Sequence, residues 1–343
     1  MADGLLSGMT ARRRLPAGAL LWLTLLAGTV ILAAMISLGV GPRAISARTI
    51  LTAFGAFDAD NFDHQALMLF RLPRLEAALL VGGALGLTGM LMQVVIRNPL
   101  AEPQLLGLNS GAALAVVAMS AAGLDAAGVF RPLAAALGAL ATFAVVLALS
   151  GIGKGGATPL KVTLSGVIVS AFASSVTSAL LLIDDQALAD LRFWLAGDLA
   201  GRTGAHIAIC ATAIGFAVAA AFLLAPRLAV LSLGDDVARG LGINVKATRI
   251  GAVAIAAILC GAAVTLAGPI GFIGLIVPHL VRRLIGEGLR LQFAACLIGG
   301  PILLLIADIL ARRLIAPAEI STGVITGGVG AFFFIFIVAR YFR

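Results

Sequence analysis

The sequence predicts an all-α, polytopic membrane protein of about ten transmembrane helices, and three observations predict it. Apolar residues make up 61% of the chain and charged residues only 12%, with a mean hydropathy of +1.11. Soluble domains hold roughly 45–50% apolar and about 25% charged residues. Ten apolar runs approach the roughly 20 residues that carry a helix across a bilayer: 17–40, 72–95, 104–124, 132–151, 160–183, 204–225, 249–268, 270–285, 291–311 and 320–339. Threading those runs through a membrane with the N-terminus inside puts 15 of the 24 basic residues on the inner side, where Lys and Arg collect. Both termini are then cytoplasmic, and the pI near 10.6 reports orientation rather than nucleic-acid binding.

Taken in order, the first run holds 24 residues, beyond the roughly 7–15 of a secretory h-region, so a retained first span preceded by Arg12, Arg13 and Arg14 is expected. The second opens on "RLPR", with Arg71 and Arg74 on one face, Pro73 in the first turn and Glu76 as the expected partner of the arginines. Arg97, Asn98, Pro99 and Pro103 interrupt the chain before the third run, because proline ends one helix and delays the next. Glu102 is counted with the inner loops. Gly107 and Gly111, around Asn109 and Ser110, permit a turn or close packing as the third run begins.

The fifth run carries Ser165, Ser170, Ser174, Ser175, Thr177 and Ser178, small hydroxyl residues that suit either a polar pathway or helix packing. Residues 225–249, "APRLAVLSLGDDVARGLGINVKATR", form the largest polar interruption on the inner side. Leu231, Val237, Ala238 and Leu241 are expected on one face of a short helix stopped by Gly240 and Gly242. The eighth run contains Pro278, with His279 packing at its kink. The ninth ends in "ADILARR", where Asp308 precedes Arg312 by one turn.

No linker divides the chain, so residues 1–343 are read as one membrane domain. An echo at an offset of 179 pairs Gly82 with Gly261, Gly89 with Gly268 and Pro99 with Pro278, which suggests an internal inverted repeat. Cys210, Cys260 and Cys296 lie inside apolar runs without metal-ligand spacing, and no cofactor or metal site is expected. "GIGKGG" is too short for a nucleotide-binding loop.

Eight segments in order, "RLPR", "GLTGMLMQVVIRNPLAEPQLLGLNSGAALA", "TLSGVIVSA", "WLAGDLAG", "LGDDVARGLGI", "GPIGFIGLIVPHLVRRLIG", "ADILAR" and "EISTGVITGGVGAFFF", resemble the FecCD-type permeases of bacterial ABC importers for iron siderophores, haem and cobalamin. The resemblance runs from Arg71 to Phe334. It implies a non-enzymatic permease in the bacterial inner membrane, paired with a second permease. It also implies two cytoplasmic ATPase subunits, which hold ATP and Mg, and a periplasmic binding protein. By the same resemblance, Gly234, Asp235, Ala238, Gly240, Leu241 and Gly242 form the ATPase coupling loop. Asn98, Leu100, Thr158 and Pro159 form a cytoplasmic gate; Arg71, Arg74 and Arg312 face the binding protein; and Ser165, Ser170 and Ser174 line the pathway. Ser321 and Ala331 stand where the family usually has proline. A ferric siderophore is the expected cargo, with haem or cobalamin as alternatives. An ion-coupled secondary transporter is the competing class; it would place ionisable groups near the bilayer midplane, whereas Glu76, Asp308 and Arg97 fall near the ends of runs.

Overall fold

Each of the ten apolar runs forms a helix. The computed structural model describes residues 17–41, 43–124, 130–152, 158–183, 194–286, 288–316 and 318–341. The helices are α1 (Ala17–Gly39), α4 (Leu72–Ile96), α5 (Leu108–Ala121), α6 (Arg131–Ser150), α7 (Pro159–Ile183), α8 (Gly204–Leu231), α10 (Val245–Ala267), α11 (Ile273–Ile285), α12 (Leu289–Arg313) and α13 (Thr322–Tyr341). Three short helices complete the described set: α2 (Ala47–Gly55), α3 (Phe62–Ala66) and α9 (Asp235–Gly240). Seven helical stretches are long and apolar enough to cross a membrane, while Leu108–Ala121 and Thr322–Ile335 are shorter apolar helices. At about 1.5 Å per residue, α5 and α11 reach only about 20 Å.

The short elements have local causes. Ser46 caps α2 by accepting the Thr49 N–H at 3.1 Å. α3 passes into α4 through a π-turn at Leu67–Arg71. Pro73, in the first turn of α4, has no N–H for the carbonyl four residues back, so the helix widens rather than repeating its ordinary bonds.

Burial sorts the helices into centre and periphery. The apolar windows of the α4 span and of α10 are 78% and 72% buried, against 11% for α1, so the first two form the interior and α1 turns most of its surface outward. α12, α10 and α11 pack on α4; α6 and α8 pack on α10; α1 and α13 lie against α12; and α5 and α7 form a pair beside α6. Glycine permits the closest crossings. A Cβ on Gly82 would stand 2.6 Å from the Pro301 nitrogen, and one on Gly89 would stand 2.0 Å from the Gly274 oxygen. Side chains larger than hydrogen would force α4 away from α12 and α11.

Two sequence expectations change. α8 continues through Pro226 to Leu231, because Ala225, Leu228 and Leu231 are fully buried and hold its last turns down. The polar interruption therefore spans 232–244, not 225–249. Leu231 and Ala238 are buried whereas Val237 and Leu241 are exposed, so those four residues do not share a face. The echoed segments also adopt different local structures: Gly89 lies inside α4, whereas Gly268 ends α10 with φ +72°. Pro99 lies in a loop, whereas Pro278 lies inside α11. His279 meets the Phe333 ring edge-on at 5.9 Å, in keeping with a packing role. α13 begins directly after Ser321 and runs unbroken through Ala331, positions that a proline would have constrained. Arg12, Arg13, Arg14, Lys154, Glu287 and Arg343 lie outside the described residues.

Candidate functional site

The loop between α4 and α5 is built by backbone chemistry that its sequence dictates. Arg97 ends α4 in the left-handed conformation, φ 55°. A non-glycine residue adopts that conformation at a cost of about 1–2 kcal/mol, so it needs compensating contacts. Arg97 has them: its guanidinium donates to the Leu231 carbonyl at 2.7 Å and pairs with Asp235. Asn98 accepts the Leu100 N–H at 3.0 Å, a side-chain turn that sets the course of the half-buried residues Asn98 and Leu100. Gly107, φ +85°, then starts α5.

This loop folds back onto the connection between α10 and α11. The Asn109 amide donates to the Ile270 carbonyl at 2.9 Å and accepts from the Cys260 thiol at 2.9 Å. Glu102 is 2% exposed, not a solvated inner-loop acid as its place in the sequence suggested. Its carboxylate accepts the Phe272 N–H at 2.7 Å and so holds Phe272 in the left-handed region at φ 68°. Burial pushes the Glu102 carboxyl up to about 7, against the downward pull of the Phe272 and Leu105 N–H groups. Thr158 heads α7, accepting the Lys161 N–H through its hydroxyl at 3.4 Å and the Val162 N–H through its carbonyl at 3.0 Å. Pro159 is the first residue of α7. No hydrogen bond among the described residues joins Thr158 to Asn98 or Leu100.

Beside the loop lies a cavity of about 340 Å³, walled by Gln104, Asn109 and Ser110 on one side and by Ser170, Ser174, Thr177 and Ser178 of α7 on the other. Ser170 ties the walls together, donating to the Gln104 carbonyl at 3.2 Å. Thr177 and Ser178 donate to carbonyls four residues back, Ala173 and Ser174, at 2.9 and 3.0 Å. Their protons are thus engaged within α7, and what faces the cavity is acceptor oxygen. Two of the three serines expected to line a pathway are here. Ser165 is not, because five residues along a helix turn its side chain some 140° from Ser170, on the usual 3.6-residue repeat. Thr177 and Ser178, part of the hydroxyl set on this helix, line the cavity as well, and Gln104 and Asn109, which the sequence did not single out for a site, join them.

At the same end of the bundle, α9 stands between Gly234, φ +134°, and Gly242, φ +76°. Ala238 is its fully buried anchor, while Leu233, Val237 and Leu241 are 69, 48 and 65% exposed. Those three, four residues apart, make an outward apolar stripe together with exposed Gly240 and Gly242. Of the two acids, Asp236 points out, 99% exposed in its side chain, and Asp235 turns in.

At the opposite end, Arg71, Arg74 and Arg312 meet a geometry that their sequence positions did not announce. Asp308 is fully buried. Arg74 donates from Nε to its Oδ1 at 2.9 Å, and Thr322 donates from its hydroxyl at 3.0 Å. Arg74 Nη2 and Arg312 Nη2 each stand 2.9 Å from an Asp308 oxygen as ion pairs without hydrogen-bond alignment. Glu319 takes Arg74 Nη1 at 2.7 Å, so Asp308 and Glu319, rather than exposed Glu76, are the partners of Arg74. Arg312, 4% exposed, also donates to the carbonyls of Ser37 and Val40 at 3.0 and 2.6 Å, while Arg71 donates to Leu38 at 2.6 Å. Two arginines thus close the orphan carbonyls at the end of α1, where cations are favoured.

Comparison with known proteins places the chain in a family. A model of the FecCD transport family matches residues 29–340. The iron(3+)-hydroxamate import system permease protein FhuB of Bacillus subtilis (strain 168) is 38% identical over 326 residues, covering 93% of this chain and 83% of that protein. The ferric enterobactin transport system permease protein FepD of Escherichia coli (strain K12) is 38% identical over 315 residues, covering 92% and 93%. Among solved structures, a metal-chelate type ABC transporter in an inward-facing conformation superposes with a TM-score of 0.77 at 28% identity, covering 93% of this chain and 98% of its own. With a family model spanning nearly its whole length and relatives well above 30% identity, the chain belongs to the FecCD transport family.

Proposed function

We propose that this chain carries an iron chelate, a ferric siderophore first among them, across a bacterial inner membrane as the permease subunit of an ATP-driven importer. The observation that carries the reading is the hydroxyl- and amide-walled cavity against α7, placed inside a chain of the FecCD transport family. A wall in which Ser170, Thr177 and Ser178 already donate to backbone carbonyls keeps few protons to grip a polar chelate, so the chelate can pass without being held tightly. Both relatives named above import ferric chelates by their names, which supports iron as the cargo; haem and cobalamin are the alternatives.

On this reading the α9 end is cytoplasmic, both termini included, and the outward stripe of Leu233, Val237 and Leu241 docks onto an ATPase subunit. Asn98, Leu100, Thr158 and Pro159 form the cytoplasmic gate. A second permease, identical or related, completes the pathway and brings a second ATPase. A periplasmic binding protein docks at the α2 end. Part-exposed Arg71, together with exposed Arg48 and Arg313, offers that partner positive charge, whereas Arg74 and Arg312, paired with Asp308, hold this end of the bundle.

The test is reconstitution in proteoliposomes with the cognate ATPase and binding protein and a radiolabelled ferric trihydroxamate as probe. Uptake is expected only with ATP and binding protein together. Uptake that persists without ATP and follows an imposed ion gradient would refute the reading in favour of an ion-coupled carrier, for which buried Glu102 would be a candidate ion site.

A further inference from the structure

One side chain ties α9 to two other elements at the α9 end. Asp235, the first residue of α9, receives Arg97 from the end of α4 and Arg249 Nη2 from α10 at 2.9 Å. Arg239, one turn along α9, stands 3.9 Å away. Arg97 in turn donates to the carbonyl of Leu231, the last residue of α8. The cluster therefore joins the ends of α4 and α8, the start of α10 and the short helix that joins α8 to α10. Its place in the chain matters as much as its contacts. Arg97 is the left-handed residue that turns α4 into the loop of Asn98, Leu100 and Glu102.

We infer that the Asp235–Arg97 contact is the link through which a displacement of α9 reaches the α4–α5 loop. Three features fit transmission better than a solvated cluster of surface charge. α9 has a glycine in a positive-φ conformation at each end, Gly234 and Gly242, so it can tilt as one piece. Its carboxylate pair is split: Asp236 is bound only by Arg239 on its own helix, whereas Asp235 reaches out of α9 to two others. And a single nitrogen of Arg97, Nη2, reaches acceptors on two different elements, α9 and α8, so a shift of either is felt at the same guanidinium. Tilting α9 pulls Asp235; Asp235 pulls the guanidinium; the guanidinium turns the backbone at residue 97, and the next residue is Asn98. Arg249, on the largely buried α10, is the fixed pole against which Asp235 moves. Arg97 and Asp235 are positioning residues in this scheme, acting on the loop and not on the cargo.

The inference rests on the importer reading above, and its test separates the two. The complete complex is reconstituted with the ferric trihydroxamate probe, and uptake per ATP hydrolysed is measured for wild type, R97Q, D235N, the double variant and D235E. R97Q and D235N are each expected to lower that ratio by at least about fivefold, the usual lower bound of a measurable coupling between sites. The double variant is expected to fall no further than the worse single one, because both break one contact. D235E, which keeps the carboxylate, is expected to stay within about twofold of wild type. An unchanged ratio in R97Q, or a double variant equal to the product of the two single effects, would overturn the link. Loss of ATPase subunits from purified R97Q complex would overturn it too, because the contact would then serve docking. If wild-type complex shows no ATP-dependent uptake at all, the importer reading fails before any variant is compared.

Discussion

Replacing Asp308 by Asn is the sharpest test of how the α2 end is held. Asp308 is fully buried, and the side chains of Arg74 and Arg312 are only 11 and 3% exposed. Among the described residues, the other acid in the cluster is Glu319, 34% exposed and bound to Arg74. In the wild type two guanidiniums face two carboxylates. In D308N two guanidiniums share one, and Arg312 loses the ion pair that lies within its own helix. Removing one partner from a buried ion pair costs about 3–5 kcal/mol, because the remaining charge stays desolvated. Asn retains an oxygen for Arg74 Nε and Thr322, which places D308N near the lower figure, about 3 kcal/mol. The damage should be local at first: α1 is held at its end by Arg312 and should loosen before α4. The assay is reversible thermal or denaturant unfolding of the detergent-purified chain, with protease accessibility of residues 39–46 as the local readout. Because uncompensated charge is the cause, D308N combined with R312Q should recover part of the loss. A D308N cost below about 1 kcal/mol, the level of an exposed pair, would refute the reasoning, as would a double variant less stable than D308N.

Two further outcomes follow from the site. The Glu102 carboxyl, pushed up to about 7 in the folded chain from an ordinary value of 4.5, binds its proton more tightly folded than unfolded. Stability should therefore fall as pH rises from about 4.5 to about 7.5, by roughly 3 kcal/mol at 1.36 kcal/mol per unit; E102Q, which keeps the acceptor for Phe272 N–H, should flatten that slope in unfolding curves measured across the range. S174W fills the cavity wall and should abolish chelate uptake, while S165W, outside the cavity, should leave more than about half; equal loss in both would remove the cavity from the pathway.

Helix positions were legible because a membrane core demands long apolar runs, and every run became a helix. Tertiary pairing was not. Asp308 and Arg312 sit four residues apart on one helix, so their pairing followed from spacing. The approach of Arg74, 234 positions away, depends on how α4 crosses α12. Glu102 looked like an inner-loop acid because nothing near it in sequence shows that the loop folds back to Phe272, 170 positions on. The end of α8 was placed too early at Pro226, since the buried face of Leu228 and Leu231 outweighs one missing N–H. Asn98 and Leu100 were visible as a break between helices, but their tie to α9 through Arg97 was not, because it is made by a side chain from the residue before them.

The hydroxyls of α7 carry a consequence for kinetics. Ser170, Thr177 and Ser178 spend their protons on backbone carbonyls, so under the proposed reading a chelate passing this wall meets few donors that could hold it in a deep well. On the importer reading, residence time along such a wall would be set at its ends, by the proposed gate loop and the partner that delivers the chelate, and mutations within the wall that preserve its size should alter passage far less than those that alter its closing.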